Sequence, residues 1–134
     1  MKTIEIQKDT NLKSNVFVIV NGKKHLMRHP SLKVQVPDDK PFELRVKQSW
    51  DGSPVYTFEP KDNMVLQILR NRRLTLFIAF LSPVAMFLAF VVYFLNPNKL
   101  TSIIFAVCIL LFPMIFYLIR RKKIFTVKFV DNLQ

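Results

Sequence analysis

Charge is missing from the middle of this chain. Leu74 to Leu95 is an uncharged run of 22 residues and Leu100 to Ile119 a second of 20, parted only by Asn96-Pro97-Asn98-Lys99. Neither run holds Asp, Glu, Lys, Arg or His. Ion-coupled transporters and proton relays need such groups inside the membrane, so their absence argues against transport by this chain alone. Two helices buried in a soluble core fit poorly too, because runs of this kind leave no polar stripe to face water. A homo-oligomeric pore is disfavoured in the same way: Thr75, Ser82, Thr101 and Ser102 offer little polar lining.

Glycine, cysteine and histidine are also scarce. The 2 glycines, Gly22 and Gly52, both fall in predicted turns, which excludes a Gly-rich phosphate loop. Cys108 is the single cysteine and lies in the second apolar run, so it reads as a small apolar residue. A chain without an intramolecular disulfide agrees with a reduced cytoplasmic side. His25 and His29 are four apart, but Pro30 and the predicted hairpin leave no helix on which both would face one metal ion. No Ser/His/Asp or Cys/His constellation stands out. The sequence therefore predicts a protein that is not an enzyme and that carries no cofactor or metal.

What is present follows from the two runs. A hydrocarbon core of about 30 Å takes about 20 apolar residues in helical form, and a lone segment in lipid satisfies its backbone only as a helix. The expectation is a transmembrane hairpin over residues 70–123, with spans 74–95 and 100–119. Arg70, Arg72 and Arg73 precede the first span, and Arg120, Arg121, Lys122 and Lys123 follow the second, whereas the turn carries only Lys99. Basic residues stay on the cytoplasmic side, so both termini are expected there, in a cell membrane crossed twice. Tyr93 and Tyr117 fall near opposite faces of the bilayer, where amphipathic rings are favoured. No apolar signal sequence opens the chain.

The net charge of +11 is unevenly spread. Residues 1–63 hold 11 basic and 8 acidic residues, while residues 64–134 hold 9 and 1. The excess is juxtamembrane, where each Lys or Arg near an anionic inner leaflet contributes about 1 kcal/mol. The seven basic residues flanking the spans are therefore expected to contact lipid headgroups. Nothing in the pattern calls for nucleic acid.

Residues 1–69 read as short strands. Thr3 to Gln7 alternates, Val16 to Val20 is apolar on both faces, and Asn21-Gly22 is a hairpin signal because a type I′ turn takes positive φ at both positions. Leu32, Val34 and Val36 alternate with Lys33 and Gln35. Phe42, Leu44 and Val46 alternate with Glu43, Arg45 and Lys47, the cleanest half-buried strand. Ser49 to Pro54 reads as a turn around Asp51-Gly52, Val55 to Glu59 as a short strand, and Met64 to Leu69 as a last strand rather than the start of the helix. Seven short strands at this spacing predict a small antiparallel β-sandwich or open barrel on the cytoplasmic side. The fold class is thus α+β, a β domain followed by a two-helix membrane hairpin. The tail, residues 124–134, carries Phe125, Val127 and Phe129 on one face and is expected to pair with an edge of the sheet, covering it.

The succession Val18-Ile19-Val20-Asn21-Gly22-Lys23-Lys24, Leu32-Lys33-Val34-Gln35-Val36-Pro37 and Phe42-Glu43-Leu44-Arg45-Val46 resembles PEGA-like and carboxypeptidase-regulatory-like β-sandwich domains, with Asp38-Asp39-Lys40 where that pattern usually has glycine. The resemblance covers about residues 15–60 and implies a binding or structural module. The whole chain also looks like small two-span membrane proteins of Gram-positive bacteria that carry a β domain.

Three features suggest contacts. Ala79, Ser82, Ala85 and Ala89 recur at helical spacing, and small residues let helices approach closely in lipid; the second span of the same chain is the favoured neighbour. Phe17 and Ile19 lie in a strand that does not alternate, and Trp50 lies in a turn, so all three are candidate partner contacts. For the strand a second copy, the bilayer and the C-terminal tail are equally open as its cover; for Trp50 the alternatives are folding back over the small core and dipping into the nearby headgroups. The leading functional expectation is a non-catalytic binding or accessory module for a membrane partner. The alternative is self-protection against a membrane-active peptide, with the hairpin as the active part.

Overall fold

The computed structural model describes residues 1–130; the last four residues of the expected tail, 131–134, lie outside the described residues. The chain divides into two compact units. One is Met1–Asn71 together with the segment from Arg121 onward, and the other is Arg72–Arg120.

The first unit is β-sandwich-like. Its strands are β1 (Lys2–Lys8), β2 (Val16–Val20), β3 (Lys23–Met27), β4 (Ser31–Val36), β5 (Phe42–Gln48), β6 (Asp51–Gly52), β7 (Tyr56–Phe58), β8 (Val65–Arg70) and β9 (Phe125–Val130). They form a four-stranded sheet in the order β4-β1-β8-β9 and a five-stranded sheet in the order β3-β2-β5-β6, with β7 also on β5. Period-two alternation accounts for the faces. Ile4, Ile6, Val34, Leu66, Ile68, Phe125 and Val127 are buried from the first sheet, and Val16, Val18, Met27, Phe42, Leu44 and Val46 from the second.

The local turn chemistry explains the β2–β3 hairpin. Asn21 and Gly22 adopt φ of 47° and 79° between paired Val20 and Lys23. Elsewhere the structure corrects the reading of the sequence. The sheet is not purely antiparallel: β1 runs parallel to β8, with Ile6 opposite Leu66. Parallel neighbours need a long crossover, and β2 to β7 supply it. Asp51-Gly52 is not the turn but strand β6, paired through Gln48↔Asp51 and Lys47↔Gly52. The two-residue loop is Ser49-Trp50, with Ser49 at φ 50°. Gly52 does not supply the positive φ, and a Cβ there would make only an ordinary contact, 3.4 Å from the Val46 carbonyl oxygen. The expected pairing of the tail with a sheet edge is found: it forms the edge strand β9, antiparallel to β8 with Phe125 opposite Arg70 and Val127 opposite Ile68.

The second unit is an antiparallel helix pair, α1 (Arg72–Leu95) and α2 (Lys99–Arg120). Both are long and apolar enough to cross a membrane. Each is slightly longer than the uncharged run it contains, because Arg72, Arg73, Lys99 and Arg120 all join a helix. Asn98 caps α2: its side-chain oxygen accepts the N–H groups of Leu100 at 3.2 Å and Thr101 at 3.4 Å. Lys99 Nζ donates to the Tyr93 carbonyl at 3.2 Å, a cation at the C-terminal end of α1. Ala85 and Ala89 of α1 and Ser102 and Pro113 of α2 are buried in the seam, and the Phe77 and Phe116 rings meet at 5.4 Å. Buried and half-buried positions on α2, Ser102, Ala106, Ile109, Pro113 and Phe116, recur alternately every four and three residues, the spacing of helices packed at a shallow angle. Of the predicted small-residue stripe, Ala79 and Ser82 are exposed, so it does not act as a whole. Ala79 falls to one side of the line through Ala85 and Ala89 because 3.6 residues make a turn.

Candidate functional site

The outward face of the five-stranded sheet carries most of the residues singled out from the sequence. On an antiparallel pair, opposed residues share a face. Ile19 is opposite Arg45 and Phe17 opposite Lys47 on one side of β2. On its other side Ile19 is opposite Lys24 and Phe17 opposite Leu26. Lys24 Nζ lies 3.8 Å from the centre of the Phe17 ring. Phe17 and Ile19 are therefore only half-exposed, flanked by the stems of long cationic side chains. This explains how a strand that is apolar on both faces is accommodated within one chain.

Next to this strip, a cleft of about 280 Å³ is lined by Arg45, Lys47, Ser49, Trp50, Asp51, Gly52, Arg121 and Lys122. Two segments far apart in sequence build it. The first is the β5–β6 hairpin, whose alternation turns Arg45 and Lys47 outward while Leu44 and Val46 enter the core. The second is a single 3₁₀ turn, Arg121–Lys123, which follows α2 and leads into β9. Ser53 fastens the hairpin. Its hydroxyl accepts the Val46 N–H at 2.8 Å and donates to the Pro54 carbonyl at 2.8 Å. Trp50, at the loop, is 72% exposed.

The electrostatics of the cleft are one-sided. Four cations, Arg45, Lys47, Arg121 and Lys122, face one carboxylate, Asp51. Arg45 Nε is buried without a hydrogen-bond partner, alone in this among the side-chain nitrogens and oxygens of the described residues. A buried donor left unpaired costs about 1–3 kcal/mol. A second basic cleft, between Lys8, Lys13 and Arg28, differs: there the Lys8 ammonium already donates to the carbonyls of Ser14, Met27 and Arg28 at 3.3, 3.4 and 3.3 Å.

The predicted residues are thus only partly brought together. Trp50, Arg121 and Lys122 share the cleft, and Phe17 and Ile19 border it. Arg70 ends β8, Arg72 and Arg73 open α1, and Lys123 is exposed at the end of the 3₁₀ turn. Arg120 lies over the Phe116 ring at 5.9 Å. The sequence reading missed Arg45 and Lys47 as site residues. Their alternation marked an outward face, but nothing local announced that residues some 75 positions later would complete it. His25 is half-buried on β3 and His29 exposed in the following turn. No cluster of three metal-ligating side chains occurs among the described residues.

No protein family, curated protein or solved structure matches the chain.

Proposed function

We propose that this chain is a two-span membrane protein whose β domain lies on the cytoplasmic side and serves as a non-catalytic binding or accessory module for a membrane partner. The observation that carries the reading is the way the chain is threaded. It leaves the β domain at Arg70, forms two helices of spanning length, and returns to the residue opposite, Phe125. A segment whose two ends are neighbours in one sheet crosses a bilayer an even number of times. The basic residues at both ends of that segment favour the cytoplasm for them. The module reading rests on the outward strip of Phe17 and Ile19 and on the resemblance of residues 15–60 to β-sandwich binding domains.

The test is in-cell crosslinking from a photoreactive residue at position 17. A single heterologous membrane protein in the crosslinked band is the expected result. Self-crosslinks alone, or no band from a protein shown to be inserted and folded, overturn the accessory role.

A further inference from the structure

The cleft between the β5–β6 hairpin and the 3₁₀ turn has a chemistry more specific than a basic surface. We propose that it binds the phosphate of an anionic phospholipid headgroup, with Arg45 and Arg121 as the principal ligands. This rests on the membrane reading above, and it assigns Trp50 to the bilayer instead of to a protein partner.

Four observations converge. Arg45 carries a buried Nε donor that the chain leaves unpaired, and a guanidinium presents its donors in a planar fork that matches phosphate oxygens in pairs. Four cations are gathered around one carboxylate, an arrangement whose mutual repulsion an anion relieves. The hairpin is held by the Ser53 hydroxyl, so Arg45 and Lys47 are placed before a ligand arrives. Trp50 is 72% exposed beside them, and an amphipathic ring is favoured at headgroup depth.

The source of the phosphate follows from the chain itself. Arg121 is the residue after Arg120, the last of α2. Consecutive Cα atoms are about 3.8 Å apart, so a cleft containing Arg121 begins where a spanning helix ends. A lipid phosphate is the anion found there at high local concentration. Soluble phosphate has no such reason to be the occupant.

Trp50 is the only tryptophan, so its emission reports on the cleft alone. The full chain is reconstituted in nanodiscs of phosphatidylcholine with stepwise increasing phosphatidylglycerol, and flotation confirms its insertion. The expected result is a saturable blue shift of Trp50 emission that pure phosphatidylcholine does not give. Replacing Arg45→Gln and Arg121→Gln together weakens the phosphatidylglycerol response about thirtyfold, at about 1 kcal/mol for each basic residue near an anionic surface. Lys47→Gln with Lys122→Gln, both at exposed side chains, gives a second weakened pair should the first fail to fold. Lys13→Gln with Lys40→Gln removes the same charge from exposed sites outside the cleft and leaves the response as in the parent chain.

An equal loss in that control overturns the site in favour of diffuse surface charge. The same shift produced by inorganic phosphate added to phosphatidylcholine discs overturns the lipid as its source. A chain that floats with the discs but gives a flat response defeats the lipid site and leaves the membrane reading standing. A chain that does not float defeats both.

Discussion

Ser53 is bonded to Val46 twice. Its backbone N–H donates to the Val46 carbonyl at 2.9 Å, and its hydroxyl accepts the Val46 N–H at 2.8 Å. The side chain thus stands in for a backbone acceptor where Pro54 interrupts the strand between β6 and β7. Ser53→Ala keeps the first bond and loses the second, leaving a buried N–H unpaired. The expected cost is about 1–3 kcal/mol of β-domain stability. Urea unfolding of the full chain in detergent, followed by Trp50 fluorescence, measures it; an unshifted midpoint refutes the role given to the hydroxyl.

Phe125 and Phe129 lie in the same strand with different surroundings. Phe125 is 0% exposed and Phe129 36%. Truncation of a fully buried Phe costs about 3–5 kcal/mol, whereas Phe129→Ala is expected to cost about 1 kcal/mol or less. The same unfolding experiment separates them. Equal and small effects would show that β9 is dispensable to the β domain.

Ala89 and Ala79 make a second contrast, on one helix. Ala89 is buried between α1 and α2, and Ala79 is exposed. Ala89→Leu forces extra methylenes into the seam and is expected to destabilise the helix pair by about 1–3 kcal/mol. Ala79→Leu is expected to leave it unchanged. Thermal unfolding of the helical circular dichroism signal in detergent distinguishes the two, and equal midpoints would reject the assigned seam.

Asn98 is the cap whose loss is simplest to read. Asn98→Ala removes the acceptor for Leu100 and Thr101 and is expected to cost about 1 kcal/mol, while Asn98→Asp retains it. Amide exchange at Leu100 and Thr101 is expected to quicken about fivefold in the alanine variant only. Equal exchange in both variants would show that the turn is held by Pro97 and the Lys99 contact instead.

The parts of this fold legible in the sequence are those set by neighbours along the chain. Alternation at Phe42, Leu44 and Val46 specifies an inward face without reference to any other strand. Asn21-Gly22 specifies a turn because few other pairs accept positive φ twice. Two long uncharged runs, from Leu74 and from Leu100, specify helices by length alone. The sequence was misleading where two roles share one residue type. Gly52 looked like a turn glycine, yet it lies in strand β6 without a positive φ, and Ser49 takes the positive φ in its place. Of the pairings set by distant residues, only the docking of the tail on a sheet edge was legible, from its alternating Phe125, Val127 and Phe129. Nothing near Ile6 says that Leu66 lies beside it in a parallel ladder. Nothing near Arg45 says that Arg121 shares its cleft.

The pairing of β9 with β8 also imposes an order of events on biosynthesis. A ribosome delivers β8, then the whole of α1 and α2, and only afterwards the strand that completes the sheet. Until Phe125 emerges, the nascent β domain has an open edge at β8 and a gap in its interior where that ring belongs. The domain therefore reaches its finished state only once both helices have been made. Strand order alone thus sets the completion of the sheet after translation of the hairpin.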